Sequence, residues 1–153
     1  MTNAHYRFSE KIKSHLDKIH DIHNIHISID SVDAENFAKI RLKGKLEMVK
    51  QTIRDLCDYR NQRAKEGRFF FNIALESTIQ KDNYHEIADF VEYAKSLNVF
   101  NTFGLVYEPH HLSVLSFDEE KRKVVVVDMG RALEQTREKT TISRITPVFL
   151  SLN

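Results

Sequence analysis

Ser28 and Asp30 are the residues whose types and spacing first suggest chemistry. They lie in Ile25-His26-Ile27-Ser28-Ile29-Asp30-Ser31, which alternates apolar and polar side chains at the period of a strand. The stretch is β-branched and ends in Asp-Ser, which favours a turn. A strand that delivers a hydroxyl and a carboxylate at its carboxyl end does so where open α/β sheets and barrels bind ligands. The plainer alternative is that both residues only end a strand and cap the next segment.

Other reactive side chains are scattered. His20, His23 and His26 have metal-like spacing, and His110-His111 adds two more. Imidazole is the commonest metal ligand, but one of these falls at a helix end and another in a strand, and no cysteine or acidic group completes a coordination shell. No metal site is expected. Ser28 has no Gly-x-Ser-x-Gly elbow, so it is no hydrolase nucleophile. The four glycines are isolated, so there is no phosphate-binding loop. Glu76 and Glu108 fall at the ends of two expected strands and could form a carboxylate pair for acid–base work.

The totals narrow the class. A chain of 153 residues with 41% hydrophobic and 29% charged residues builds one domain with a real core. The net charge is +1, with basic and acidic residues interleaved, so neither nucleic acid nor an anionic membrane surface is expected as partner. One cysteine, Cys57, excludes an intrachain disulfide and fits a reducing, cytoplasmic setting. No apolar run approaches the ~20 residues of a membrane helix, and the polar first residues do not read as a signal peptide.

The elements that must position these residues follow from periodicity. Phe8, Ile12, Leu16 and Ile19 predict an amphipathic helix over 8–20, with Ser9 as its cap. After the strand at 25–31, an amphipathic segment runs from Val32 to Arg41, and Lys43-Gly44-Lys45 breaks the chain. Leu46, Val49, Ile53, Leu56 and Cys57 share one face of a helix over 45–63, with Cys57 as a small core residue. Arg68 to Leu75 predicts the second strand, its three consecutive Phe buried on both faces. A loop follows over 76–82. Asn83 and Glu86 then resemble a capping box for a helix ending at Asn98. Val99 to Val106 predicts the third strand, and Leu112 to Phe117 is a short strand or loop. Asp118 caps a last helix through about Gln135, although four consecutive valines suit a helix poorly. Strands separated by whole helices need crossovers, so the sheet is parallel. The fold expected is α/β, repeated βα units forming half of a partial (β/α) barrel over 1–138, with an irregular tail over 139–153.

This succession resembles the later half of the radical S-adenosylmethionine enzyme core. Thr2-Asn3-Ala4 with Glu10 looks like the end of that family's third strand and the helix after it. Ile27-Ser28-Ile29-Asp30-Ser31 looks like its fourth strand, and Phe37-Ala38-Lys39-Ile40-Arg41 with Lys43-Gly44 like the segment that follows. Asn83-Tyr84-His85-Glu86-Ile87 is similar to the start of the helix after its fifth strand. The resemblance covers roughly residues 2–115. It implies that Thr2, Asn3, Ser28, Asp30 and Arg41 contact S-adenosylmethionine. Thr2 and Asn3 would sit at the barrel lip, Ser28 and Asp30 near the ribose and methionine groups, and Arg41 on the methionine carboxylate, which a guanidinium can grip bidentately. The plainer alternative for Arg41 is a solvated surface charge. Asn83 would order the loop after its strand, or act as a plain helix cap.

The chain departs from that family at its centre. The three cysteines of CxxxCxxC, which hold the [4Fe–4S] cluster, are absent, and thiolates are what such a cluster requires. The sequence reads as if it began where the family's third strand ends. The first expectation is therefore a truncated radical S-adenosylmethionine core, inactive alone. Its partner would be a missing N-terminal half, or a second copy met through an exposed strand edge. The second is a stand-alone, non-catalytic α/β module that binds a small ligand or partner protein at its strand ends.

Overall fold

The computed structural model describes residues 1–19 and 22–137. The expected tail over 139–153 and His20 lie outside the described residues. Three parallel strands, β1 (Asn24–Ser28), β2 (Asn72–Ile79) and β3 (Phe100–Leu105), form one sheet in sequence order. The α/β class and the parallel pairing are as the helix-separated strands require.

Among the described residues five α-helices accompany the sheet. In α1 (Glu10–Lys18), Ser9 is the extended cap residue, though its hydroxyl makes no cap bond. The amphipathic segment before Arg41 is itself a helix, α2 (Ala34–Ile40). It starts where the Asp33 carboxylate accepts the N–H groups of Glu35 and Asn36, each at 2.9 Å. In α3 (Leu46–Lys65) the apolar face is buried as its spacing demands, Cys57 included. α4 (Ile87–Ser96) follows a short 3₁₀ turn at Tyr84–Glu86, and Asn98 beyond its end takes φ +52°. α5 (Glu119–Arg137) begins where Asp118 accepts the Lys121 N–H at 2.9 Å. The valine run lies inside α5, where Val125 is fully buried, so packing overrides the weak local preference.

Three expectations are corrected. β1 stops at Ser28 rather than running to Ser31, because the Asp30 carboxylate, not a backbone carbonyl, takes the Thr78 N–H at 3.0 Å. β2 starts four residues after the expected Arg68 and runs to Ile79, into the stretch expected as a loop. Arg63 Nε holds the Phe69 carbonyl at 2.8 Å, which keeps the aromatic run on the exit from α3. Phe69 and Phe70 are consequently exposed, and only Phe71 enters the core. Residues 112–117 are neither strand nor open loop but end in a 3₁₀ turn at Val114–Ser116 that Ser113 caps.

The sheet has two unlike faces, as alternation along each strand requires. Ile25, Ile27 and Ile29, then Ile73, Leu75 and Ile79, then Phe103 and Leu105 point into one core with Val49, Ile53, Ile87, Phe90 and Met129 of the helices. Phe90 and Phe103 meet edge to face at 5.2 Å. The opposite face carries His26, Ser28, Glu76, Thr78, Thr102 and Gly104, all partly or fully exposed. The register sets Ser28 beside Glu76 and Glu76 beside Thr102. At the outer edge of β1, Thr2 adds one further parallel bridge. Its N–H donates to the His26 carbonyl at 2.9 Å and its carbonyl accepts the Ser28 N–H at 2.8 Å.

Candidate functional site

The structure brings three of the five sequence-assigned residues into direct contact. Arg41 is the residue that ends α2, and its guanidinium turns back across the end of β1. Nε donates to Asp30 Oδ2 and Nη2 to Ser28 Oγ, both at 2.6 Å. Asp30 is nearly buried, and its other carboxylate oxygen accepts the Thr78 N–H. A buried carboxylate is tolerated when both oxygens are engaged this way. The guanidinium is thus locked along one edge. Among the described residues its Nη1 amino group makes no hydrogen bond, which leaves donors for an external acceptor.

Arg41 opens onto a cleft of about 390 Å³ at the carboxyl end of β1. Asn3, His5, Ser28, Phe37, Lys43 and Gly44 are among the residues that line it. Asn3 stands at its lip, with its side-chain oxygen on the His5 N–H at 3.2 Å. Thr2 does not line the cleft: its hydroxyl accepts the Ala4 N–H at 3.2 Å and its peptide bridges to β1. Gly44 is required by proximity. A Cβ there would lie 2.7 Å from Phe37 Cε1 and 2.8 Å from the Arg41 carbonyl oxygen. Lys43 takes φ +63° in the same turn, which swings the chain from α2 into α3. With Arg41 and Lys43 at its wall and the Asp30 carboxylate consumed by Arg41, the cleft suits an anionic group.

Asn83 and Glu86 do not form a capping box. The Asn83 side chain accepts the Gln80 N–H at 2.8 Å and donates to the carbonyls of Asp30 at 2.5 Å and Thr78 at 3.0 Å. It ties the end of β1 to the end of β2. Glu86, also buried, accepts Ser31 Oγ at 2.7 Å, the Val32 N–H at 2.8 Å, the Asp33 N–H at 3.1 Å and Asn36 Nδ2 at 2.8 Å. It holds the loop before α2, and through α2 it sets where Arg41 begins its reach. Asn83 lies 53 residues from the Asp30 carbonyl it holds, which hides this role from sequence. What does carry a signal is that both are polar residues beside an apolar helix face.

The remaining candidates separate. Glu76 is inside β2, not at its end, and its Oε1 lies 2.7 Å from His26 Nδ1; Glu108 is exposed in the loop after β3. His23 stacks edge-on against Phe69, and His110 and His111 are exposed. Among the described residues no three His, Cys, Asp or Glu side chains converge on a metal-sized point. Burial pushes the Cys57 thiol up from its ordinary value, with Arg60 opposing weakly. Among the described residues no helix is long and apolar enough to cross a membrane. A second polar cluster, remote from the cleft, fastens α1 to α3. There Asp17 accepts Tyr59 Oη at 2.5 Å and also meets Arg63 and Arg68, and the Tyr59 hydrogen bond leads in lowering its pKa. No family model matches the chain, and no curated protein matches it in sequence.

Proposed function

We propose that this chain is one wall of a (β/α) barrel of the radical S-adenosylmethionine type, which holds S-adenosylmethionine in the Arg41 cleft and is inactive by itself. The observation that carries the reading is the one-sided sheet. Parallel strands are ordinarily covered on both faces. Here the helices pack on one face, and the other carries polar side chains, His26, Ser28, Glu76, Thr78 and Thr102, beside Ala74 and Phe100, as a face lining a barrel cavity would. The cleft sits at the carboxyl end of β1, the end of a strand at which barrel ligands bind.

The residues fit S-adenosylmethionine in part. Arg41 would take the methionine carboxylate, while Ser28 and Asn3 offer short polar contacts beside it. They do not fit a [4Fe–4S] cluster: Cys57 is the one thiol of this sequence, and it is buried in α3. The cluster's thiolates would have to come from outside these residues, and no radical step is assigned to this chain.

Equilibrium dialysis or calorimetry with S-adenosylmethionine tests this. Saturable binding is expected, weakened about tenfold or more in Arg41→Gln, since hydrogen bonds to a charged group contribute roughly 1.5–3 kcal/mol. Absence of saturable binding, or equal binding by Arg41→Gln, refutes the assignment. If malonate then binds in its place through Arg41, the stand-alone module that binds small anions is the better reading.

A further inference from the structure

We propose that the His26–Glu76 pair is a second ligand site on the open sheet face, one that takes a primary ammonium group. It rests on the geometry of that face and stands whether or not the Arg41 cleft takes S-adenosylmethionine. His26 and Glu76 come from adjacent strands and point to the same side, away from the core. A carboxylate only accepts, so the 2.7 Å contact with Oε1 makes His26 Nδ1 the donor. In the neutral ring the Nε2 lone pair is then an acceptor. Glu76 Oε2 is a second acceptor, with no hydrogen-bond partner among the described residues. Both side chains are reachable, at 37% and 22% exposure.

The local charge chooses the ligand. On this face the Arg41 cation is matched by the Asp30 carboxylate, whereas Glu76 meets no lysine or arginine side chain among the described residues. Two acceptors and one negative charge call for a cationic donor with more than one N–H. An ammonium group supplies three N–H donors and a positive charge. A hydroxyl supplies one donor and no charge. Ser28, the next residue on this face of β1, lies about 6.6 Å along the strand from His26 by the usual rise. Glu76 lies beside Ser28 in the register, so the ammonium site adjoins the Arg41 cleft on its β2 side. Thr102 lies beside Glu76 in the register, and Ala74, then Phe100, lie beside His26.

The test titrates ¹⁵N-histidine-labelled chain with n-butylammonium chloride, and with 1-butanol as the neutral counterpart, and follows the His26 imidazole resonances. The amine is expected to move the Nε2 resonance saturably and the alcohol is not. Glu76→Gln keeps the shape and removes the charge, and is expected to weaken amine binding about tenfold or more. His26→Gln provides a second variant, read from the backbone amides of Glu76 and Thr102. Equal shifts with the alcohol, no saturable shift, or unchanged binding in Glu76→Gln overturn the proposal. S-adenosylmethionine binding measured on the same Glu76→Gln sample is expected to persist, so failure of the cleft assignment and failure of the ammonium site are seen separately.

Discussion

Replacing Asn83 by Asp distinguishes a helix cap from a strand tie. Asp and Asn are nearly equivalent as N-caps, so a capping Asn83 would tolerate the change at close to no cost. The structure requires a large cost instead. Asn83 is 1% exposed, and its Nδ2 donates to two carbonyl oxygens, those of Asp30 and Thr78. A carboxylate has no proton for either, and it would set a charged oxygen against both. Two lost hydrogen bonds account for about 2 kcal/mol. Leaving buried carbonyls and a buried charge unpaired adds at least ~1–3 kcal/mol more. Urea unfolding followed by circular dichroism should therefore show Asn83→Asp destabilised by about 3 kcal/mol or more. Asn83→Ala should be comparably or somewhat less affected, because it removes the acceptor for the Gln80 N–H but brings in no charge. An Asn83→Asp midpoint within about 1 kcal/mol of wild type would refute the tie, and with it the account of how Asp30 is held for Arg41.

Gly44→Ala should destabilise the fold by about 1–3 kcal/mol, since the new methyl group would meet the Arg41 carbonyl at 2.8 Å and backbone must shift; the same urea titration measures it. Tyr93→Phe should be neutral or stabilising by up to ~1 kcal/mol, because the Tyr93 hydroxyl is buried with no hydrogen-bond partner among the described residues. Burial, chiefly, pushes the Tyr93 phenol up to about 12 from 10.0. A raised folded pKa means that stability is intact below the unfolded value and falls as pH rises from about 10 through about 12. Unfolding midpoints taken across that window should fall less steeply for Tyr93→Phe than for wild type, and parallel slopes would contradict the assignment.

Much of the fold is legible in the sequence because single-period signals dominate it. The isoleucines at 25, 27 and 29 fix which face of β1 is buried, and the apolar spacing from Leu46 to Cys57 fixes the buried side of α3. The expectation for β2 fails where a tertiary contact competes with local pattern. Three phenylalanines read as a strand core, but Arg63, itself buried, captures the Phe69 carbonyl and delays the ladder until Asn72 donates to the His23 carbonyl at 2.8 Å. No window of sequence reports that contact, because it joins a helix side chain to the backbone of the link after it.

The site divides along the same line. Ser28, Asp30 and Arg41 are within 13 residues of one another, and one strand followed by one helix is enough to return Arg41 to Ser28. Local order therefore exposes that cluster. Glu86 lies 55 residues from the Ser31 hydroxyl that it accepts, and His26 lies 50 from Glu76. Those partners meet only because the parallel register aligns Ser28 with Glu76 and sets the start of α4 against the end of β1. The consequence is directional. The nearby group, Arg41 with Ser28 and Asp30, makes the contacts that a ligand would meet, whereas the distant groups, Asn83 and Glu86, fix the strand ends and loops from which those contacts are made. A substitution at Asn83 or Glu86 should therefore move the Arg41 cleft without touching its lining, as only the assembled sheet reveals.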